Sequence, residues 1–453
     1  MYKLWIEIRS SLWFVPALLI LGAMGLGIGL VQLDISHGAN WKLEKHNAFF
    51  GVGASGSRAM LSAIASSMIT VAGVAFSVTI VTLSLGSSQY TPRILRNFMR
   101  DRWNQFVLGM FVAIFAYCLV VMRTIRAGDE NGASFVPVVA VFVGVLLALS
   151  SIACLIFFIH HTATSIQAST LLAAINEETL AAIACILPEE SSDAPETTGT
   201  VCPVPQNGSW VPVMSGATGY VQNFNPAALL RLASKEEIIL RVEQSVGEFA
   251  TAGVPLISAD RELDEAVRDR LRRLFTIGEF RVITNDPEFG VRQIVDIAVK
   301  ALSPGVNDTS TATTCIDYLG SILSFVASRR AASSFRTDDK GAVRLIAPTL
   351  DFATLVAKAF DEIRLSAAGN VTILVQMLAV IGRIADATRR PARKQVALDY
   401  ACLVVSAADR TVETRYDRLR VNERIVRIRP ALDADARDLP EISAEQARPE
   451  RAS

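Results

Sequence analysis

The amino-acid sequence predicts an α-helical integral membrane domain of four transmembrane helices. A cytoplasmic α+β domain follows, with a small β-sandwich-like module and a helical C-terminal part. Of the 453 residues, 51% are hydrophobic and only 19% are charged, against ~25% charged residues in soluble proteins. The deficit of charge falls within the first ~165 residues, which contain four long apolar segments. The remainder has the composition of a soluble domain.

The balance of positive and negative charge bears on which partners the protein could bind. The 44 Lys and Arg residues equal the 44 Asp and Glu residues, so the formal net charge is zero. A general nucleic-acid-binding protein needs a basic surface that releases counterions. We therefore expect the lipid bilayer as a partner and no nucleic acid. The six cysteines are scattered, so neither a disulfide framework nor a zinc site is predicted.

The four apolar segments are long enough to cross a bilayer. They contain no Asp, Glu, Lys or Arg, and they span residues 12–33, 59–85, 106–122 and 135–159. A helix rises 1.5 Å per residue, so ~20 residues cross a ~30 Å hydrocarbon core. Ionisable groups inside a membrane are typical of proton relays. Their absence from the segments argues against a proton-driven mechanism.

An even number of crossings leaves both ends of the membrane domain on one side. The loop after the second segment carries Arg93, Arg96, Arg100 and Arg102. Cytoplasmic loops are enriched in Lys and Arg. This cluster predicts a multi-pass protein whose N- and C-termini both lie in the cytoplasm.

The second apolar segment carries a stripe of small and hydroxyl residues. At 100° per residue, six of them fall within an arc of about 80°. These pore-lining candidates are Ser62, Ser66, Thr70, Gly73, Ser77 and Ser84. A narrow face of small residues lets two helices approach closely in lipid. The same hydroxyls suit the wall of a water-filled path between subunits, so both interpretations stay open.

The loop after this segment predicts a short amphipathic helix on the membrane surface. Thr91 suits the cap of that helix and Pro92 its first position. Its arginines either contact anionic headgroups or form a basic ring that attracts anions toward the path. The candidate residues of this cytoplasmic mouth are Gln89, Arg93, Arg96 and Arg100.

The predicted domain boundaries follow changes in composition and in apolar periodicity. Short apolar runs separated by glycines indicate strands, and helical spacing indicates helices beyond them. The predicted domains are a four-helix transmembrane domain (1–165), a helix extension and linker (166–208), a small β-rich module (209–259), a helical cytoplasmic domain (260–429) and a disordered tail (430–453).

One stretch of the β-rich module, residues 241–256, resembles the small β-sandwich hybrid of biotinyl and lipoyl carrier domains. Those carriers present a lysine on a tight turn. This part of the chain has only Lys235, which lies in a predicted helix. The resemblance therefore concerns the fold and implies no attached cofactor.

Catalysis has little support in the sequence. Four aspartates lie around a predicted turn at residues 303–308, namely Asp286, Asp296, Asp308 and Asp317. They could bind a cation together, but carboxylates at helix N-termini usually act as caps. No G-x-S-x-G, Walker or H-E-x-x-H pattern occurs in the sequence. We expect no enzyme, no catalytic residue, no cofactor and no metal site.

Two longer strings make the chain resemble a bacterial family of predicted membrane proteins, domain-of-unknown-function family 2254. The first is FSVTIVTLSL at 76–85 with SQYTPR at 88–93, and the second is ALSPGVND at 301–308 with CIDYL at 315–319. The resemblance extends over most of the chain. It implies an integral protein of the bacterial inner membrane with a cytoplasmic domain, and it implies no established activity, substrate or cofactor.

Two hypotheses of function follow. The leading one is an oligomeric channel or passive transporter for ions or small solutes, with a weak preference for anions and a cytoplasmic domain for assembly or gating. Four helices per chain are few to enclose a path, so we expect a homo-oligomer. The alternative is a membrane-anchored sensor or scaffold whose cytoplasmic domain binds a ligand or partner protein. A lipid-modifying enzyme would need a buried nucleophile or metal, which the sequence does not suggest.

Overall fold

The computed structural model describes residues 13–37, 53–89, 102–126, 135–165, 167–187, 189 and 210–443. The chain divides into two compact units, Met1–Thr170 and Leu171–Ser453. Each unit has an apolar core of its own.

Where the structure describes it, the first unit contains four long helices that correspond to the four predicted segments. They are α1 (Phe14–His37), α2 (Ala54–Gln89), α3 (Arg102–Thr124) and α4 (Val138–Ser165). The shortest of them, α3, has 23 residues and is therefore about 35 Å long, enough to cross a ~30 Å hydrocarbon core.

Helix α3 is central in this bundle and packs against α1, α2 and α4. Gly109 brings it close to α1, because a Cβ added there would lie 2.8 Å from Pro16 Cα. Further along, the buried Tyr117 lies beside Gly27 and donates a 2.7 Å hydrogen bond to the carbonyl of Ala140 in α4. Since Pro16 meets Gly109 and Gly27 meets Tyr117, α1 and α3 run parallel.

Polar contacts join the helices at the other end of the bundle. Asp34, in the last turns of α1, accepts hydrogen bonds of 3.1 and 3.2 Å from the N–H groups of Val139 and Ala140 and so caps α4. Near the start of α2, Arg58 donates a 2.8 Å hydrogen bond to the carbonyl of Ile125, just after α3. The start of α1 and the end of α4 therefore lie together at the opposite end.

A fifth helix, α5 (Ala168–Ile186), is also long and apolar enough to cross a membrane. The described residues thus contain five candidate spans, where the sequence predicted four spans and a continuous extension of the fourth. From Leu171 onward, α5 belongs to the second unit. Its buried side chains are Leu172, Ile175, Thr179, Ala182 and Ile183.

The described residues of the second unit contain eight short strands in two sheets. They are β1 (Val211–Met214), β2 (Gly219–Phe224), β3 (Leu240–Val242), β4 (Phe249–Ala250), β5 (Pro255–Ala259), β6 (Phe275–Gly278), β7 (Phe335–Thr337) and β8 (Val343–Ile346). The larger sheet has the order β1-β5-β3-β8-β7, in which only β3 and β8 pair in parallel. The smaller, antiparallel sheet has the order β4-β2-β6.

The β-rich module therefore extends beyond the predicted residues 209–259. Strand β6 joins its smaller sheet, and the β7–β8 hairpin joins its larger one. Leu345 of β8 pairs with Leu240 of β3, and both side chains are fully buried. β3 pairs with β5 on one edge and with β8 on the other, so that neither edge is left open. The prediction ended too early because β8 comes from a remote segment of the chain.

Beyond α5, eight further α-helices lie in the described part of the second unit. They are α6 (Pro226–Lys235), α7 (Glu265–Arg273), α8 (Pro287–Ala301), α9 (Thr309–Ala327), α10 (Phe352–Ser366), α11 (Val371–Asp386), α12 (Pro391–Thr411) and α13 (Arg415–Ile428). Asn or Asp side chains cap five of them, each accepting a hydrogen bond from an N–H three residues ahead. These caps are Asn225, Asp286, Asp308, Asp351 and Asn370.

The prediction of disorder from residue 430 is wrong for residues 430–443, and residues 444–453 lie outside the described part of the chain. Leu432, Leu439 and Ile442 are at most 4% exposed. Side chains of α13 also bind the main chain of this segment. The prediction relied on the scarcity of large apolar residues, but the three that are present are all buried.

Candidate functional site

The side of α2 that packs inside the bundle is apolar. Its buried residues include Leu61, Ala65, Met68, Ala72 and Ala75. Leu61 reaches α4 at Gly144, where an added Cβ would lie 3.1 Å from Leu61 Cδ2. The buried Ser57 and Thr82 continue this face toward the two ends of the helix. The bundle therefore contacts α2 through one side.

The predicted stripe lies on the other side of α2. All six of its residues are exposed, namely Ser62, Ser66, Thr70, Gly73, Ser77 and Ser84. At 100° per residue, their mean direction is roughly 150° from that of the buried face. A Cβ added at Gly73 would meet no atom within 4 Å. Among the described residues of the first unit, no other helix covers this stripe.

Two hydroxyl groups of the stripe donate hydrogen bonds within their own helix. Thr70 Oγ1 donates to the carbonyl of Ser66 at 2.8 Å, and Ser77 Oγ donates to the carbonyl of Gly73 at 2.9 Å. Such bonds satisfy the hydroxyl proton without a partner helix, while the oxygen can still accept. The stripe therefore presents small side chains, which allow close contact with another helix, and uncharged hydroxyl oxygens, which can accept hydrogen bonds from water.

The structure does not place the side chains of the predicted cytoplasmic mouth. Gln89 is the last residue of α2, and its side chain is not described. Arg93, Arg96 and Arg100 lie outside the described residues. The amphipathic helix that follows α2, and its basic face, therefore stay predictions.

Aromatic side chains lie at the end of the bundle where α3 begins and α4 ends. Trp103 contacts Phe157 edge-on with ring centroids 5.4 Å apart, and Phe157 stacks on His161 at 5.6 Å. Amphipathic rings concentrate where hydrocarbon meets headgroups. The cluster lies at one end of the bundle, where an aromatic belt at a membrane interface is expected.

Asp34 is the polar residue of the membrane domain that the sequence analysis missed. The predicted first segment ends at residue 33, whereas α1 continues to His37 and includes this carboxylate. One signal was available, because an acid follows the apolar run directly. Its partners in α4 are about a hundred residues away, so spacing could not reveal the cap.

The four aspartates that lie around the predicted turn have separate roles. Asp286 and Asp308 cap α8 and α9, as predicted. Hydrogen bonds from Thr311 hold the pKa of Asp308 below its usual value. The other two form the ion pairs Asp296–Arg292 and Asp317–Arg383. Within the described residues, no three His, Cys, Asp or Glu side chains are grouped to hold a metal ion.

A charged cleft of about 490 Å³ lies between α8 and α10. Five of the charged side chains that line it are Arg281, Glu288, Arg292, Lys358 and Glu362. Lys358 pairs with Glu288, and Arg292 pairs with Glu362. A ligand would have to exchange these ion pairs for its own, since the opposite charges already neutralise one another.

Comparison with known proteins identifies the family. The chain matches the family described as predicted membrane protein (DUF2254) over residues 9–383. Uncharacterized proteins of Mycobacterium bovis and Mycobacterium tuberculosis are each 31% identical to it over 420 residues, covering 91% of this chain and 79% of theirs. No solved structure matches the chain, so the likeness to carrier domains stays a prediction. The resemblance seen in the sequence is confirmed, and the chain belongs to the DUF2254 family of predicted membrane proteins.

Proposed function

We propose that the protein is an oligomeric membrane channel or passive transporter for ions or small solutes, in which α2 of each copy lines the path. One observation carries this proposal. The six residues of the stripe are exposed and face away from the apolar side of α2 that packs in its own bundle. Hydroxyl groups are better placed against another helix or water than against hydrocarbon.

A ring of copies is the arrangement that uses the stripe. The described core of one bundle is filled by its own side chains, among them the fully buried Phe111 and Tyr117. A path through the centre of one bundle would require these side chains to leave. Several copies with α2 toward a common axis would instead bring the stripes together and enclose an uncharged, hydroxyl-lined path.

Charge sets the expected preference among ions. In this proposal Arg93, Arg96 and Arg100 lie at the cytoplasmic end of the path and give it a weak preference for anions. The proposed protein lies in the bacterial inner membrane, with both termini in the cytoplasm. The C-terminal unit serves assembly or gating, and no catalytic residue is needed.

We also propose that four of the five candidate spans cross the membrane and that α5 does not. Glu177 and Glu178 lie in the middle of α5, and charged residues are rare and costly in a membrane-spanning helix. The buried face of α5 belongs to the C-terminal unit, where Arg329 donates a 2.8 Å hydrogen bond to the carbonyl of Leu187 just after the helix. These contacts are those of a helix in a water-soluble domain.

The substitution Ser66→Leu tests whether the stripe lines a path. We expect it to abolish anion flux into proteoliposomes, because leucine adds bulk and removes a hydroxyl, while the oligomer measured by size-exclusion chromatography stays intact. Ser67→Leu is the matched control. Ser67 is also exposed but lies about 100° around the helix from Ser66, and we expect its replacement to leave flux unchanged.

Three outcomes would contradict the channel proposal. They are equal flux in the Ser66→Leu variant and the unchanged protein, equal loss of flux in both variants, and no flux of any tested ion or small solute through the unchanged protein.

A membrane-anchored sensor or scaffold is the second candidate. The charged cleft between α8 and α10 favours it, because three bases and several acids lie around a volume large enough for a small polar molecule. In that case the C-terminal unit would bind a ligand or partner while the membrane domain carries no flux.

A further inference from the structure

The last described segment of the chain lies along α13 without being helical itself. Residues 439–443 run in the direction opposite to the helix, because Arg429 contacts Leu439, Asn422 contacts Ile442 and Arg418 contacts Ser443. These three side chains, hereafter the clamp, belong to α13 and to Arg429 directly after it, and they fall within about 40° on one face. Arg418 and Asn422 are only 4% and 8% exposed.

The clamp binds main-chain atoms of the segment. Arg429 donates through Nε and Nη2 to the carbonyl of Leu439, at 3.1 and 3.0 Å. Asn422 donates to the carbonyl of Ile442 and accepts from its N–H, both at 2.8 Å. Arg418 donates to the carbonyl of Ser443 at 2.7 Å. Any residue other than proline offers these main-chain groups, so the clamp fixes the path of a peptide without reading its sequence.

The side-chain contacts of the segment, two apolar and one charged, would distinguish one peptide sequence from another. Leu439 is fully buried and Ile442 is 4% exposed, so aliphatic groups three residues apart fill the apolar contacts. Glu441, directly before Ile442, forms a 3.1 Å ion pair with Arg429. Main-chain hydrogen bonds for affinity and side-chain pockets for specificity are the division of labour found in peptide-recognition domains.

The connection between α13 and this segment is a polar turn, which Lys394 and Cys402 of α12 contact at Asp433 and Asp438. Asp435 accepts hydrogen bonds from the N–H groups of Arg437 and Asp438, at 2.6 and 3.1 Å. Leu432, which precedes the turn, is also buried. The family match ends at residue 383, so the clamp and its occupant both lie outside the matched residues.

We propose that this face of α13 is a peptide-binding site for an extended segment of a partner protein, and that residues 439–443 occupy it as an exchangeable intramolecular ligand. The partner segment carries two aliphatic residues three positions apart and an acidic residue directly before the second. A short tether holds the chain's own segment at an effective concentration on the order of millimolar. A partner of micromolar affinity therefore binds only when this segment is displaced or released.

The test uses the full chain with a protease site inserted between Ala434 and Asp435, in the polar turn. The probe is a fluorescent peptide of residues 435–443, and its anisotropy reports binding before and after cleavage. We expect negligible binding to the uncut protein and saturable binding after the cut, with circular dichroism unchanged. Failure of the probe to bind the cut protein at about 100 μM, or loss of helical signal on cutting, would overturn the proposal.

A second variant tests the same site without a cut. Ile442→Asp places a charge where an aliphatic side chain is buried, and we expect this full-length variant to bind the unmodified probe. Adding Asn422→Leu should weaken that binding at least tenfold, because both hydrogen bonds to Ile442 are lost. A probe carrying the Ile442→Asp change is the control and should not bind. Equal binding of the two probes, or an unchanged affinity after Asn422→Leu, would show that the clamp does not recognise peptides.

Discussion

Gly290 determines how closely α5 lies against α8. A Cβ added at this position would lie 1.9 Å from Oγ1 of Thr179. Thr179 is fully buried, and its hydroxyl already donates a 2.6 Å hydrogen bond to the carbonyl of Ile175. Because the added Cβ would also lie 3.0 Å from Cβ of Thr179, a side chain at position 290 requires Thr179 or its helix to shift.

The substitution Gly290→Ala should therefore destabilise the C-terminal unit by about 1–3 kcal/mol, as overpacking does in other cores. Adding Thr179→Ala removes the Oγ1 that the new methyl group meets, so the double variant should recover part of the loss. Thermal unfolding of the purified protein measures both effects. Gly305→Ala is the control, because a Cβ at this exposed turn meets no atom within 4 Å. Equal effects of the two glycine substitutions would contradict the role of Gly290.

Local sequence predicts caps well and remote partners poorly. Asp286 and Asp308 were predicted as caps because the N–H groups that they bind are three residues away. Arg393 gave no such signal, although its buried guanidinium donates to the carbonyls of Val326 and Ala327 at the end of α9. A positive charge suits a helix C-terminus, but only the folded chain brings this arginine there.

At the scale of elements, α5 shows where composition and packing disagree. Its length and mean hydropathy fit a membrane span, yet one apolar face, which includes Leu172, Ile175 and Ile183, is buried in the C-terminal unit. Amphipathic helices of soluble domains reach this hydropathy when their buried face is wide. The sequence extended α4 through this region without a break, whereas α4 ends at Ser165 and α5 begins at Ala168.

The number of crossings can be measured with an epitope tag on each terminus. With four crossings and the proposed orientation, which places both ends in the cytoplasm, both tags stay protected when protease is added to spheroplasts. A tag inserted between α1 and α2, at residues 38–50, is the control and should be digested. Digestion of one terminal tag and protection of the other would require an odd number of crossings and would make α5 a span.

The sheets show the same limit of local patterns. Strands between residues 209 and 259 were predicted because alternating apolar runs and glycines lie close together in the chain. The β7–β8 hairpin was missed, since its strands are short and mostly not buried apart from Leu345. The hairpin lies beside β3 because β8 pairs with it in parallel. The two strands are about a hundred residues apart, so local apolar periodicity could not predict this pairing.

At the scale of the whole molecule, the division into two units was readable from composition. Hydrocarbon excludes charge over long segments, so the predicted boundary at residue 165 lies close to the observed division after Thr170. The position of the stripe was also readable, because a helix has a fixed period. What covers the stripe could not be predicted, since the described helices of the bundle leave it exposed.

The path and the peptide site make separate demands on the molecule. The path requires several copies with α2 toward one axis, whereas the clamp on α13 works within one chain. Loss of one proposal leaves the other intact. A partner segment that displaces residues 439–443 would give the C-terminal unit a means to respond to another protein.

The central claim is that α2 faces a shared path, and a cryo-EM structure of the nanodisc-embedded protein tests it most directly. We predict a symmetric ring in which Ser62, Ser66, Thr70, Gly73, Ser77 and Ser84 point toward the central axis. A monomer or dimer with the stripe against lipid, or a ring with another helix on its axis, would contradict the account.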